Sequence, residues 1–492
     1  MPLLLVAGRW LVRDARSGPA GLLPRGAVLV DEGRIVAVDH VDAFRGVAAE
    51  LIDRPDGLVL PGLINAHHHG RALGPSATGG QDGPLELWMF QPAAWGALPT
   101  SSNRLLTLAR QLLSGVTSSL EAHMARGPIA VYRTAVEEAL AAYLKSGTRV
   151  ALTLGLQDRN RFVYDDSGAL LASLPAALRA LVVDPADVAA DDYVDLLAEL
   201  RTGVDHARVR LFVGSTAPQW LSDEGLRRCA AAAERDDVGI HLHLNETVYE
   251  RAHGPRAYGE SVVQHLDRLG ILSGRFSGAH GVWLDPPDMD LLAARAASVV
   301  HNPSSNLRLC SGIAPVRALV DAGVNVALGM DSNSFADDDD MFAEMRLAHQ
   351  LHRGHGVDSG GLSAYQVLAM ATTGGARVLG RDDLGVLRPG ARGDVVVVRM
   401  ARAAGPALGA LVDPVETLVA RAQADDVGDV LVDGQPLVRD GTLVHLDLAE
   451  IERQVAQELA ERCRSVPFAR LAAPQAALHE RIRAFYAGWH AG

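Results

Sequence analysis

Apolar and polar positions alternate in two ways along this chain, and the change of rhythm divides it. Up to about Leu60 the pattern is short apolar runs broken by turn residues; residues 26–39, GAVLVDEGRIVAVD, place two such runs around Asp-Glu-Gly-Arg, a hairpin signal. The same rhythm returns at residues 384–398, LGVLRPGARGDVVVV, and at 427–444, VGDVLVDGQPLVRDGTLV. Between these regions, strand-like runs begin near residues 58, 115, 149, 209, 238, 276, 297 and 325, and helix-like runs such as 101–114, 222–235 and 314–323 separate several of them. This βα alternation predicts an α/β fold with a (β/α)8 TIM-like barrel. An open doubly wound sheet would want a glycine-rich phosphate loop after its first strand, and none is present.

The domain organisation predicted from this is residues 1–58 and 385–446 as the two parts of a small β-sandwich, 59–384 as the barrel, and 447–492 as a helical C-terminal extension. No chemistry is legible in that extension, which is expected on the outside of the molecule or at a subunit contact.

The chain has 492 residues and a formal net charge of −13, so a basic face for nucleic acid is not expected. No run reaches the roughly 20 apolar residues of a membrane span. Cys229, Cys310 and Cys463 stand apart with no paired spacing, which fits a cytoplasmic protein without a thiolate metal cluster.

Candidate chemistry gathers at strand ends, where barrel active sites lie. In residues 61–70, PGLINAHHHG, His67 and His69 are two apart and share a strand face, while His68 turns away. His68 is expected to pack or hydrogen-bond between strand and helix. In residues 241–247, HLHLNET, His243 lies nearer the strand end and Glu246. His241 shares its face, one layer deeper, and is an alternative. His280 and Asp331 end two further strands. A carboxylate closing an apolar strand needs a metal or a buried hydrogen bond to offset its desolvation. Imidazoles plus one carboxylate suit Zn2+, with Fe2+ as an alternative. The aspartate run 337–340 precedes a helix and is expected to be a solvated cap.

These segments together resemble the amidohydrolase superfamily, in its branch of cytosine, guanine and methylthioadenosine/adenosylhomocysteine deaminases and triazine hydrolases. The likeness extends to residues 301–316, 325–348, 365–380 and 384–398. It implies one divalent ion held by His67, His69, His243 and Asp331, with Glu246, His280 and Asp331 as the catalytic groups. Glu246 would be the proton shuttle, and His280 would hold the attacking water or the developing charge. Binuclear relatives bridge two ions with a modified lysine. Lys145 is this chain's only lysine, and its segment reads as a helix end, so a single ion is expected.

The implied reaction is removal of ammonia from an amino-substituted nitrogen heterocycle or cyclic amidine, such as a nucleobase or pterin. The rivals are displacement of chloride or an alkylamine, opening of a cyclic amide, and a barrel used only for binding. Residues 81–88 keep Asp82, Leu85 and Trp88 of a nucleoside-deaminase segment, but no acidic residue follows Trp88 before Thr100. A ring lacking ribose is therefore as strong an expectation as a nucleoside. Candidate substrate contacts are Trp88, Glu121, His123, Gln157 and Asn306, with Arg159 and Asn302 as further possibilities. The resemblance also implies a homodimer.

Overall fold

The computed structural model describes residues 3–91, 101–123, 128–160, 162–182, 189–204, 207–331, 337–354, 356–357, 360–405, 412–465 and 472–489. Its strands are β1 (Leu4–Val12), β2 (Leu22–Pro24), β3 (Gly26–Asp31), β4 (Arg34–His40), β5 (Glu50–Pro61), β6 (Leu63–His68), β7 (Val116–His123), β8 (Arg149–Leu156), β9 (Val209–Ser215), β10 (Ile240–Leu244), β11 (Phe276–His280), β12 (Ser298–His301), β13 (Asn325–Leu328), β14 (Val395–Arg399), β15 (Val427–Val432), β16 (Gln435–Arg439) and β17 (Thr442–Leu443).

Strands β6 to β13 pair in chain order, all parallel, as an eight-stranded sheet. The chain after β13 bends back onto β6, where the Met330 and Asp331 amides both donate to the His67 carbonyl, at 3.1 and 2.9 Å. Closure demands a near approach at Gly329. A Cβ there would lie 2.3 Å from Asn302 Oδ1 and 2.8 Å from His67 Cβ, so only glycine fits.

Inward positions alternate with outward ones. Leu120, Ala151, Phe212, Val300 and Ala327 pack with Ala376, Val378 and Leu379 to fill the interior below the site. Their neighbours Leu152, Leu211, Val213, Val299 and Val326 join the larger core against the surrounding helices.

Both chain ends form a second, mixed sheet of nine strands, ordered β17-β16-β15-β14-β5-β1-β3-β4, with β2 paired to β1. The N- and C-terminal parts meet where β14 runs antiparallel to β5. Arg149 at the start of β8 joins barrel to sheet: it is buried, bonds Asp394 at 2.8 and 3.0 Å, and also reaches Asp433.

The C-terminal extension divides in two. Helix Leu448–Ser465 lies along helix Ser101–Leu113, where the Ser102 hydroxyl donates to Glu458 at 2.6 Å. Helix Ala472–Phe485 lies on the outside of the barrel, as expected, and packs one face onto its loops. Leu478, Ile482 and Tyr486 are buried among Phe90, Phe162, Tyr164, Leu174 and Trp220, which belong to segments following β6, β8 and β9. Four-residue spacing gives this helix one apolar face, and the mouth-side loops supply the surface that covers it.

The aspartate run also differs from the expected solvated cap. Asp340 does cap helix Met341–Leu351, accepting from the Phe342 amide at 2.8 Å. Asp339 is buried and accepts from the Thr107 hydroxyl at 2.7 Å, and Asp337 is engaged by Arg308 and Ser76. Partners on other elements draw these carboxylates inward.

Candidate metal centre and active site

The ends of β6, β10 and β11, together with the turn after β13, bring four imidazoles and a carboxylate together. The His67 ring centroid lies 4.9 Å from those of both His69 and His243, and 5.5 Å from that of His280. Asp331 Oδ1 is 3.1 Å from His69 Nε2 and 3.7 Å from His67 Nε2. Asp331 Oδ2 is 3.9 Å from His280 Nε2. Two sets of donor atoms, His67–His243–His280 and His67–His69–Asp331, each lie within 4.8 Å of one another.

Backbone strain accompanies the assembly. His280 and Asp331 take φ of 75° and 56°, and Asn245, after β10, takes 45°. Non-glycine residues in this region cost on the order of 1–3 kcal/mol each, and such strain clusters at functional sites.

Hydrogen bonds to the far ring nitrogens set the tautomers. His69 Nδ1 donates to the Ala122 carbonyl at 2.9 Å, His243 Nδ1 to the Thr216 carbonyl, and His280 Nδ1 to Asn306 Oδ1 at 2.7 Å. His67 Nδ1 meets His241 Nε2 at 2.8 Å, and His241 Nδ1 meets the Ser277 hydroxyl at 2.7 Å. The Nε2 atoms of His69, His243 and His280 are therefore left with their lone pairs towards the centre, and His67 Nε2 points there too, its tautomer shared with His241.

Those lone pairs make the case for a cation. His69 Nε2 and Asp331 Oδ1 lie 3.1 Å apart, a pair held by either a shared proton or a cation between them. The Nε2 atoms of His67 and His280 are buried without a hydrogen-bond partner among the described residues. Ligands about 2 Å from one ion are separated by about 3–4 Å, as these atoms are. Burial holds His67 and His243 well below the ordinary imidazole range, which keeps them neutral and able to ligate. The residues present fit a divalent ion.

Glu246, two residues past β10, stands at the edge of this group, with Oε2 3.6 Å from His280 Nε2. Burial pushes its pKa well above the usual carboxyl range, and the charges of Glu250, Asp331 and Glu86 push it further.

Not every residue expected here is present. Leu120 faces the barrel interior, so its neighbour Glu121 points outward, where Arg104 of helix Ser101–Leu113 bonds it at 2.9 and 3.0 Å. His123 shares that outward face: its Nδ1 lies 3.2 Å from Glu121, and its ring meets Tyr132 of helix Ile129–Ser146 edge-on. Neither residue faces the site, contrary to expectation, because strand parity places both between wall and helices. Asn306 is engaged with His280, and Arg159 is turned to the Tyr258 hydroxyl at 2.8 Å. Asn302 Nδ2 lies 3.4 Å from His280 Nδ1. Gln157 follows β8 on the inward parity of Ala151. Trp88 ends the short helix Leu85–Trp88, and its indole nitrogen is buried without a hydrogen-bond partner among the described residues.

His68 lies outside the ring of imidazoles. Its Nε2 meets the Tyr143 hydroxyl at 2.9 Å, and its Nδ1 accepts from the Gly70 amide at 3.1 Å. Lys145 is exposed at the end of its helix.

Several supporting residues were not singled out by the sequence. Asn65 Oδ1 accepts from the Met330 amide at 3.1 Å and pins the turn that carries Asp331. The Ser305 hydroxyl donates to Asp331 at 2.6 Å, and the Ser311 hydroxyl to Glu246 at 3.4 Å. Polar residues next to strand-end histidines were the available signal for Asn65.

Behind this layer, Glu344 accepts from the Ser304 hydroxyl and amide. Burial raises its pKa from 4.5 to about 8, against the Ser304 bonds and with help from Asp338 and Asp340. The folded protein thus keeps a proton that the unfolded chain has released. This contribution is full below pH 4.5 and is lost as pH rises through about 8. Glu344→Gln is expected to flatten that decline, read as a smaller drop in urea midpoint between about pH 5 and 8.

A profile of the amidohydrolase family matches residues 58–437, covering the barrel and the meeting of the two chain ends. The chain belongs to the amidohydrolase family. It is 34% identical over 450 residues to a 5'-deoxyadenosine deaminase of Methanothermobacter thermautotrophicus, spanning 90% of this chain and 95% of that one. It is 32% identical over 452 residues to a 5-methylthioadenosine/S-adenosylhomocysteine deaminase of Desulfitobacterium hafniense, spanning 89% and 94%. A zinc-bound adenosine deaminase structure from Xanthomonas campestris superposes with a TM-score of 0.80 at 29% identity, covering 94% of this family member and 99% of that chain. The fold is also that of the zinc-complexed atrazine chlorohydrolase of Arthrobacter aurescens, with a TM-score of 0.78 at 24% identity and 93% and 100% covered.

Proposed function

We propose that the protein is a single-metal hydrolase that removes ammonia from an amino-substituted nitrogen heterocycle, and that the adenine ring of a 5'-modified adenosine is its substrate class. The observation that carries the reading is the convergence of the His67, His69 and His243 rings on Asp331, with Glu246 alongside. The adenine ring is supported by the names of the two deaminases above.

His67, His69, His243 and Asp331 would hold the ion, and His280, bonded through Nδ1 to Asn306, would present Nε2 to the reacting oxygen. A divalent ion in this place supplies Lewis acidity that lowers the pKa of water towards neutrality. Glu246 then takes a proton from the nucleophile side and returns it to the departing nitrogen. Burial and its negative neighbours favour the protonated carboxyl, while a cation at the imidazoles favours the carboxylate, which suits proton exchange in both directions. Zinc, which the two solved relatives hold, is the ion proposed here. A single equivalent is supported by the exposed position of Lys145, the chain's only lysine, away from the imidazoles. The same reading includes a homodimer in the cytoplasm; the dimer rests on family resemblance, and light scattering tests it.

Zinc-loaded protein offered 5'-deoxyadenosine, adenine, pterins and chlorinated or alkylamino triazines is expected to release ammonia from the first class. Chloride or alkylamine release without ammonia would assign it the other leaving-group chemistry.

Among the described residues, no helix is long and apolar enough to cross a membrane.

A further inference from the structure

Helix Ala472–Phe485 lies beyond residue 437, where the family match ends, yet it packs on the barrel's mouth. It shares one hydrophobic cluster with segments that follow successive barrel strands: Leu87 and Phe90 after β6, Phe162 to Leu178 after β8, Trp220 after β9 and Tyr249 after β10. The Tyr486 ring lies 5.5 Å from that of Tyr164 and 4.9 Å from that of Tyr249, and Arg256 stacks over Trp489 at 4.2 Å.

A line of hydrogen bonds leads inward from this helix. The Tyr486 hydroxyl accepts from the Tyr164 amide at 3.2 Å, and the Tyr164 hydroxyl donates to Glu86 Oε1 at 2.9 Å. The same Glu86 oxygen accepts from the Thr247 hydroxyl at 2.6 Å. Thr247 caps helix Val248–Ala257, accepting from the Glu250 amide at 3.4 Å, and Glu250 in turn accepts from the Glu246 amide and from Gln219. Glu86, Thr247, Glu250 and Tyr486 are all buried. The backbone of Glu246 is thus tied, through Glu250, Thr247, Glu86 and Tyr164, to the C-terminal helix.

We propose that this helix is a working part of the active site, with Tyr486 and Glu86 as positioning residues that set the Asn245–Glu246–Thr247 turn and hence the Glu246 carboxyl. The proposal rests on the reading of Glu246 given above. The acceptor oxygen of Glu86, rather than its charge, holds both Tyr164 and Thr247, so glutamine at 86 should serve where alanine does not.

The test compares Tyr486→Phe, which removes one oxygen and keeps the ring packing, with Glu86→Ala and Glu86→Gln. Hydrogen exchange over residues 243–250 is measured without substrate, and kcat and KM are measured on 5'-deoxyadenosine with zinc content determined. Tyr486→Phe and Glu86→Ala are expected to speed exchange and lower kcat, each about tenfold, with zinc content unchanged and KM within about twofold; Glu86→Gln should restore both. Exchange over 243–250 equal to the parent's in both variants would overturn the proposal and leave the helix as packing alone. Because exchange is read without turnover, a parent protein inert on every heterocycle would remove the proposed activity while leaving this test intact.

Discussion

Glu246→Gln is expected to lower kcat by about 10²–10⁴-fold while zinc stays bound, because it removes a proton carrier without removing a ligand. Gln has nearly the shape of Glu and can still meet Ser311 and His280, so the fold around β10 should be kept. It cannot accept a proton from water or return one to an amine. The expected signature is a fall in kcat with little change in KM, as for a group used in the transition state. Near-full activity in this variant would show that another group, Asp331 first, moves the proton alone.

The second large effect separates three adjacent histidines. His67→Asn is expected to lose most of the bound zinc and with it nearly all turnover. Its Nε2 is one of two buried imidazole nitrogens at the site without a hydrogen-bond partner among the described residues, and its Nδ1 is already engaged by His241. Loss of an ion from a site the folded chain has built also removes the stabilisation that binding contributes, so the zinc-saturated melting temperature should fall. His68→Asn should keep its zinc, because His68 faces Tyr143 and Gln111 behind the strand. Its cost is one of packing and a lost buried bond, about 1–3 kcal/mol, read as a lower urea midpoint. Metal analysis of the two variants side by side checks the assignment, and zinc lost from His68→Asn but not from His67→Asn would contradict it.

The strand-end histidines were legible because barrel topology makes four distant segments converge, and a two-residue spacing on one strand leaves only one pair facing inward. The two-part second sheet was legible from the return of the hairpin rhythm after residue 384. Glu121 and His123 were not, because a spacing of two shows that residues share a face but not which face. The neighbour that decides it, Leu120, declares its side only by packing in the interior with Phe212 and Val300. His241 was legible as an inward residue but not as the partner of His67, since that bond spans two strands far apart in sequence. The surface that the C-terminal helix packs on is not legible for a related reason: Leu478, Ile482 and Tyr486 give an apolar face, and an apolar face does not name what covers it. Glu86 was not legible because its bond to Thr247 crosses from one barrel loop to another, far apart in sequence.

The central claim is that water guided by the His67–His69–His243–Asp331 centre displaces ammonia from a ring carbon. Turnover of 5'-deoxyadenosine by zinc-loaded protein in ¹⁸O-labelled water tests it most directly. The expected result is one ammonia per turnover and one ¹⁸O at the carbon that carried the amino group, both abolished by stripping the metal. Ammonia release that persists undiminished in metal-free protein, or product without the label, would contradict it.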